Sequence, residues 1–215
     1  MAKDLAREER TTKRIALLRH GQGYHNMARG GISWLGNVLF TQDVTLDPIG
    51  QKQADTLCER IRAHPDDPLR RVDVVLCSPL SRTIETATRV FVPAHHPPLE
   101  LSPLCSERCL STCDRGLPQA ALIARWPHVK EWAGLAEMPE VWWPATRSWL
   151  QEYDPTDRMR ELTAMLARRP EQTIALVGHA GIFASLTGRR LRNCEVLWCD
   201  LVDVEGSPAV LVPRA

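Results

Sequence analysis

Arg14-Ile15-Ala16-Leu17-Leu18-Arg19-His20-Gly21-Gln22-Gly23 decides how the rest of this chain is read. A short apolar run after a polar segment reads as a first, buried strand, and Gly21 and Gly23 break it at once. Two further stretches have the same form. Val72–Leu76 is followed by Cys77-Ser78-Pro79, and Thr173–Val177 by Gly178-His179-Ala180-Gly181. Helical patterns alternate with these strands. Asp47-Pro48 supplies a cap and a first-position proline, and Ala54, Leu57, Cys58 and Ile61 recur at helical spacing. Ser78-Pro79 repeats that signal before Leu80, Ile84, Ala87 and Phe91, and Asp154-Pro155 repeats it before Met159, Leu162, Met165 and Leu166. Glu195–Val204 and Ala209–Val212 read as a closing hairpin around Glu205-Gly206-Ser207. Strands alternating with helices imply an α/β layer fold with a largely parallel sheet.

The two ends of this pattern and its middle are less regular. Residues 1–13 form a charged tail of mixed sign, and 14–215 are expected to make one domain. Residues 27–44 read as an irregular loop. Residues 92–153, with their prolines and Trp126, Trp132, Trp142, Trp143 and Trp149, read as a partly helical, lid-like insertion. The Trp cluster is assigned to packing rather than to ligand binding.

Bulk properties remove several function classes. The 215 residues are 44% hydrophobic and 25% charged, enough for a sizeable core. A net charge of +1 gives no electrostatic footprint for nucleic acid or an acidic membrane. No apolar stretch is long enough to span a bilayer, and the charged start lacks a signal peptide's apolar run. Seven cysteines, an odd count, fit reduced thiols and a cytoplasmic location. Cys105, Cys109 and Cys113 are spaced by four, unlike the paired Cys-x-x-Cys of structural zinc sites, so no metal is expected.

Three strand ends carry chemistry-bearing side chains: Arg19-His20 after the first, Arg82 in the first turn of the helix after the second, His179 after the third. In open α/β sheets ligands bind just past the carboxyl ends of strands. Two imidazoles and two guanidiniums can therefore converge on one crevice. That set suits phosphate, because arginine's planar fork matches its oxygens and a neutral imidazole can act as a nucleophile near pH 7. The positive end of the helix expected from Pro79 would add to the same site.

These residues sit in four ordered blocks that resemble the histidine phosphatase superfamily, also called phosphoglycerate mutase-like. They are Leu18-Arg19-His20-Gly21-Gln22-Gly23-Tyr24-His25-Asn26, Asp43 to Ala54, Cys77 to Ala87, and Val177-Gly178-His179-Ala180-Gly181. Asp47 stands where that family usually has Thr, and Ala180 where it more often has Gly. The resemblance implies a three-layer sandwich around a mostly parallel sheet. It also implies a phosphohistidine mechanism without cofactor. On that resemblance His20 would be the nucleophile. Arg19, Arg82 and His179 would clamp the phosphoryl oxygens, and Asn26 would add a donor. Glu107 would be the proton donor, with Asp114 in reserve. Gln22, Gly23 and His25 are the expected substrate contacts.

The expected partner is a small phosphorylated molecule, with neither nucleic acid nor membrane, and a homodimer is left open. Phosphoglycerate mutases of the family continue Glu-Arg-x-Tyr-Gly after the acid. Here Glu107-Arg108 is followed by Leu110 and Ser111 in place of Tyr and Gly, and Arg115 is the nearest extra cation in the segment. A phosphomonoester hydrolase is therefore expected, with a phosphoglycerate mutase as the alternative and a non-catalytic phospho-ligand module as a weaker one. Cys113-Asp114-Arg115-Gly116 and Asn193-Cys194-Glu195-Val196 are similar to a mutase-like branch of plants and fungi.

Overall fold

The computed structural model describes residues 13–26, 40–143, 156–202 and 208–214. Six strands form one sheet: β1 (Lys13–Arg19), β2 (Val74–Cys77), β3 (Leu99–Leu101), β4 (Thr173–Gly178), β5 (Val196–Val202) and β6 (Val210–Pro213). Their order across the sheet is β3-β2-β4-β1-β5-β6, parallel through β1 and antiparallel from there to β6.

Side-chain alternation along the central strands sorts the core into two sides. Ala16, Leu18, Val75, Cys77, Ala175 and Val177 pack with α1 (Pro48–Ala63) and α2 (Ser81–Phe91). Ile15, Leu17, Val74, Leu76, Ile174 and Leu176 pack with α4 (Thr156–Arg168) and α5 (Ala180–Thr187). The result is three layers. The short α3 (Gln119–Arg125), in the chain segment that joins β3 to α4, packs Leu122 into the same side of the core as α1 and α2.

Register places the chemistry. Arg19 pairs with Gly178, and Cys77 with Val177, so β1, β2 and β4 end level with one another. The first residues past those ends are His20, Ser78 and His179. The amide of His20 donates to the Gly178 carbonyl at 3.0 Å, and that of Ser78 to Val177 at 3.0 Å.

The start of α1 is bolted to the turn after β1. Asp47 caps the helix by accepting from the Gly50 amide at 2.8 Å, and its other oxygen accepts from the Gln22 side chain at 2.8 Å. Gly50 is needed here for contact: a β-carbon on it would lie 1.9 Å from the Gln22 carbonyl oxygen.

Two expectations need correction. The helix after β2 begins at Ser81, with Leu80 as its capping position, and not at Pro79. Its first amide is satisfied from far away: Ser81 donates through its amide and its hydroxyl to Asp43, at 2.7 and 2.6 Å. Ser78 Oγ accepts from the Leu80 amide only at 3.4 Å, and its shorter contact, at 2.9 Å, is with His179. The second correction concerns residues 92–153. Part of this segment is built into the core, since β3 pairs with β2 and Trp132 and Trp142 are buried. Trp142 fills the space over Gly116, where a β-carbon would lie 1.9 Å from its ring. The loop assigned to 27–44 lies largely outside the described residues, as do Trp149, Asp154-Pro155 and the turn at 205–207. β5 and β6 do pair antiparallel, as the hairpin reading requires.

Candidate active site

A cavity of about 420 Å³ opens over the carboxyl ends of β1 and β4. Arg19, His20, His25, Asn26, Arg82, Glu107 and Asp114 line it, so seven of the residues singled out from the sequence meet in one place. His20 follows β1 and is 2% exposed; its ring lies 5.5 Å from that of His25 and 5.1 Å from that of His179.

The hydrogen bonds fix the state of both buried imidazoles. His20 Nδ1 lies 2.6 Å from the Gly21 carbonyl oxygen. A carbonyl only accepts, so Nδ1 carries the proton and donates, and Nε2 keeps its lone pair. His179 is fully buried. Its Nδ1 accepts from Arg82 Nε at 3.3 Å, so its Nε2 carries the proton toward Ser78 Oγ at 2.9 Å. Both nitrogens of His179 are thus engaged, one with Arg82 and one with Ser78.

Burial pushes all three imidazoles below their ordinary value of 6.5. His20 and His179 lie well below it, from desolvation first and the Arg82 charge second; His25 is pushed down to about 2 by burial, then by Arg82 and Arg19. Such groups are neutral in the fold, while the unfolded chain takes up protons below about 6.5. Their stabilisation is therefore complete above the unfolded value and is lost as pH falls toward the folded values. Thermal melts should show a falling Tm between about pH 7.5 and about pH 5, with protons gained on unfolding by these three imidazoles and by His95 and His128, which burial also lowers. A flat Tm across that window would show that the imidazoles are charged in the fold.

Arg19 lies at the end of β1. Its Nη1 donates to the Leu191 carbonyl at 2.9 Å, and its buried Nε has no partner among the described residues. Arg82, 1% exposed, is held at three nitrogens: Nε by His179, Nη1 by the Cys113 carbonyl at 2.8 Å, and Nη2 by Asp114 at 2.9 Å. Asn26 accepts from the Gly23 amide at 3.2 Å through its carbonyl oxygen, which leaves its amide hydrogens for other acceptors.

Glu107 reaches the start of α5. One carboxylate oxygen accepts from the Gly181 amide at 3.0 Å and the other from Arg108 at 3.0 Å. Gly181 permits this approach, because a β-carbon there would lie 2.3 Å from the Glu107 carboxylate. Asp114 is engaged differently, with its second oxygen accepting from Ser111 and Leu110. Gln22 and Gly23 do not line the cavity. The Gln22 side chain is spent on Asp47, and Gly23 gives its amide to Asn26.

Several contributors escaped the sequence reading. Asn193 Nδ2 donates to the His20 carbonyl at 2.9 Å, and Arg108 and Arg190 lie on the cavity wall. Asn193 was visible only as part of a motif without a role. Arg190 could not be found, because only the turn after α5 brings it to the site. The expectation that Arg115 is the nearest extra cation is corrected accordingly: Arg108 and Arg190 are the ones on the wall. Cys105 and Cys113 are buried free thiols, and burial pushes Cys105 up to about 12 and the half-exposed Cys109 to about 11. Among the described residues no group of three or more His, Cys, Asp or Glu is arranged to hold a metal ion. No described helix is long and apolar enough to cross a membrane.

The family model of the histidine phosphatase superfamily, branch 1, matches residues 15–196. A phosphoglycerate mutase-like protein of Arabidopsis thaliana is 28% identical over 212 residues, which cover 85% of this chain and 76% of that protein. Among solved structures, mycobacterial hydrolase 2 superposes with a TM-score of 0.59 at 20% identity, covering 95% of this chain and 90% of the other. A mycobacterial glucosyl-3-phosphoglycerate phosphatase in complex with VO3 superposes with a TM-score of 0.55 at 19% identity, over 94% of this chain and 98% of that one.

Proposed function

This chain belongs to the histidine phosphatase superfamily and is an enzyme of the phosphoglycerate mutase-like phosphatase type; from that premise we propose that it hydrolyses phosphomonoesters through a phosphohistidine on His20. The observation that carries this reading is the tautomer of His20. With its Nδ1 proton given to the Gly21 carbonyl at 2.6 Å and its pKa depressed by burial, the ring offers a free Nε2 lone pair at the cavity wall.

In the first step Nε2 attacks phosphorus and the bond to the leaving oxygen breaks. Glu107 gives its proton to that oxygen. In the second step Glu107 takes a proton from water as its oxygen attacks phosphorus, and the P–N bond breaks to release phosphate. Arg19, Arg82 and the Asn26 amide hold the charge on the phosphoryl oxygens. Charge-assisted hydrogen bonds of this kind are worth about 1.5–3 kcal/mol each. His179 is assigned to this set through Arg82, whose Nε it receives. Gln22 is assigned to the turn that presents His20.

One observation favours a second reading. Arg108 and Arg190 add two cations beyond the phosphate set, and a mutase would use such charges to hold the other end of a phosphoglycerate. Assaying the full chain on an aryl phosphate and on phosphoglycerates separates the outcomes. Hydrolysis of the aryl ester with slow or absent phosphoglycerate interconversion supports the phosphatase. Rapid interconversion makes the chain a mutase, and no turnover of either by folded protein leaves a binding module.

A further inference from the structure

We propose that Asp114 is a positioning residue, which fixes the Arg82 guanidinium for the phosphoryl group and locks to it the loop that carries Glu107. The proposal rests on the phosphatase reading for its catalytic consequence. Its geometry stands alone.

Arg82 is among the largest fully buried side chains of the fold, and its guanidinium sits on the cavity wall. A guanidinium has five N–H groups. Three are used here, on His179 at 3.3 Å, the Cys113 carbonyl at 2.8 Å and Asp114 at 2.9 Å. One N–H remains on each terminal nitrogen, available to phosphoryl oxygens. Without the Asp114 and Cys113 contacts the end of this long side chain would be held only at Nε, and the direction of the fork would be lost.

The same carboxylate reaches in a second direction. Asp114 Oδ2 accepts from Ser111 Oγ at 3.1 Å and from the Leu110 amide at 3.3 Å. It therefore closes the loop that begins at Glu107, and that loop is tied at its other end by Glu107 to the Gly181 amide. One carboxylate thus joins the loop of the proposed acid to the helix of the phosphate-binding arginine. Each Asp114 oxygen accepts from two donors, Oδ1 from Arg82 and the Cys113 thiol and Oδ2 from Ser111 and Leu110, whereas each Glu107 oxygen accepts from one, so Asp114 is the worse placed of the two to carry a transferable proton. This separates it from the reserve role that its position in the sequence suggested.

The test uses the full chain and a good-leaving-group aryl phosphate. Asp114→Ala is expected to lower kcat by about 10- to 100-fold, the cost of a small misplacement at a reacting centre, while KM stays within about threefold. Asp114→Asn keeps the volume and one acceptor oxygen, so it serves if the alanine variant does not fold. Arg82→Ala is made alone and together with Asp114→Asn. Because Asp114 acts through Arg82, the double variant should be no slower than Arg82→Ala. Losses that multiply in the double variant overturn the proposal. So does a loss confined to esters with poor leaving groups, which would make Asp114 the acid. Calorimetric titration with inorganic phosphate gives an arm independent of turnover. Asp114→Asn should shift the Kd when Arg82 is present and leave it unchanged when Arg82 is alanine. An equal shift in both, or none in either, overturns the coupling. If the wild-type chain binds phosphate but turns over no ester, the phosphatase reading has failed while this coupling is still decided.

Discussion

His20→Ala should abolish turnover and the phosphoenzyme together, with the fold retained. The fold survives because the backbone of His20 does most of its structural work. Its amide donates to Gly178 at 3.0 Å and its carbonyl accepts from Asn193 at 2.9 Å, and neither bond involves the ring. The ring contributes only the Nδ1 bond to Gly21 and its packing at the cavity wall. Removing a nucleophile costs on the order of 10⁴-fold or more in kcat, because the remaining donors stabilise charge but cannot form the intermediate. The check is a rapid-quench experiment with labelled ester under alkaline conditions, where a phosphohistidine persists. Wild-type protein should hold label and the variant none. Label retained at the wild-type level would move the nucleophile elsewhere. A second readout follows from the pKa direction. The variant loses one imidazole that the fold keeps neutral, so its stability should fall less on acidification than that of the wild type.

The parts of the molecule legible in the sequence are those where local chemistry decides. β1 and β4 are continuous apolar runs because both faces of the sheet are covered, and α1 carries its own cap and proline. β3 has only three residues and follows two prolines, too short for any period to show, and its assignment depends on pairing with β2. The start of α2 is hidden from the sequence for a related reason. The group that satisfies its first amide is Asp43, 38 residues away, while the nearer Ser78-Pro79 imitates a cap. Nearly all of α2 is buried, including Arg82, Glu85 and Thr86, so a single apolar face understates its burial. The site divides in the same way. His20, Arg19 and Arg82 follow directly from strand ends and a first helical turn. The use of His179 as a partner of Ser78 and Arg82, and the arrival of Asn193 and Arg190, depend on contacts between segments about a hundred or more residues apart. Motif spacing carries no information about these.

Glu107→Gln should separate substrates by their leaving groups. A general acid contributes roughly 10²–10⁴-fold where the departing oxygen needs a proton, and little where it leaves as a stable anion. An alkyl phosphate should therefore slow by about 10³-fold, and a nitrophenyl-type ester by less than about tenfold. The geometry makes this a fair test of the carboxyl. Each Glu107 oxygen accepts one backbone N–H, from Gly181 and from Arg108, so each keeps a lone pair on which a proton can ride. The Gln amide preserves shape but turns one of these acceptors into a donor, so one of the two backbone bonds is lost. That structural cost falls on both esters alike, whereas loss of the transferable proton falls on the alkyl ester alone. The ratio of the two effects isolates the chemistry from the packing. Glu107→Ala, which removes both bonds and the proton, should lower both rates further while keeping the same ratio. An equal loss for the two esters in both variants would show that Glu107 only anchors its loop to the start of α5. The acid would then have to be sought among the other groups that line the cavity.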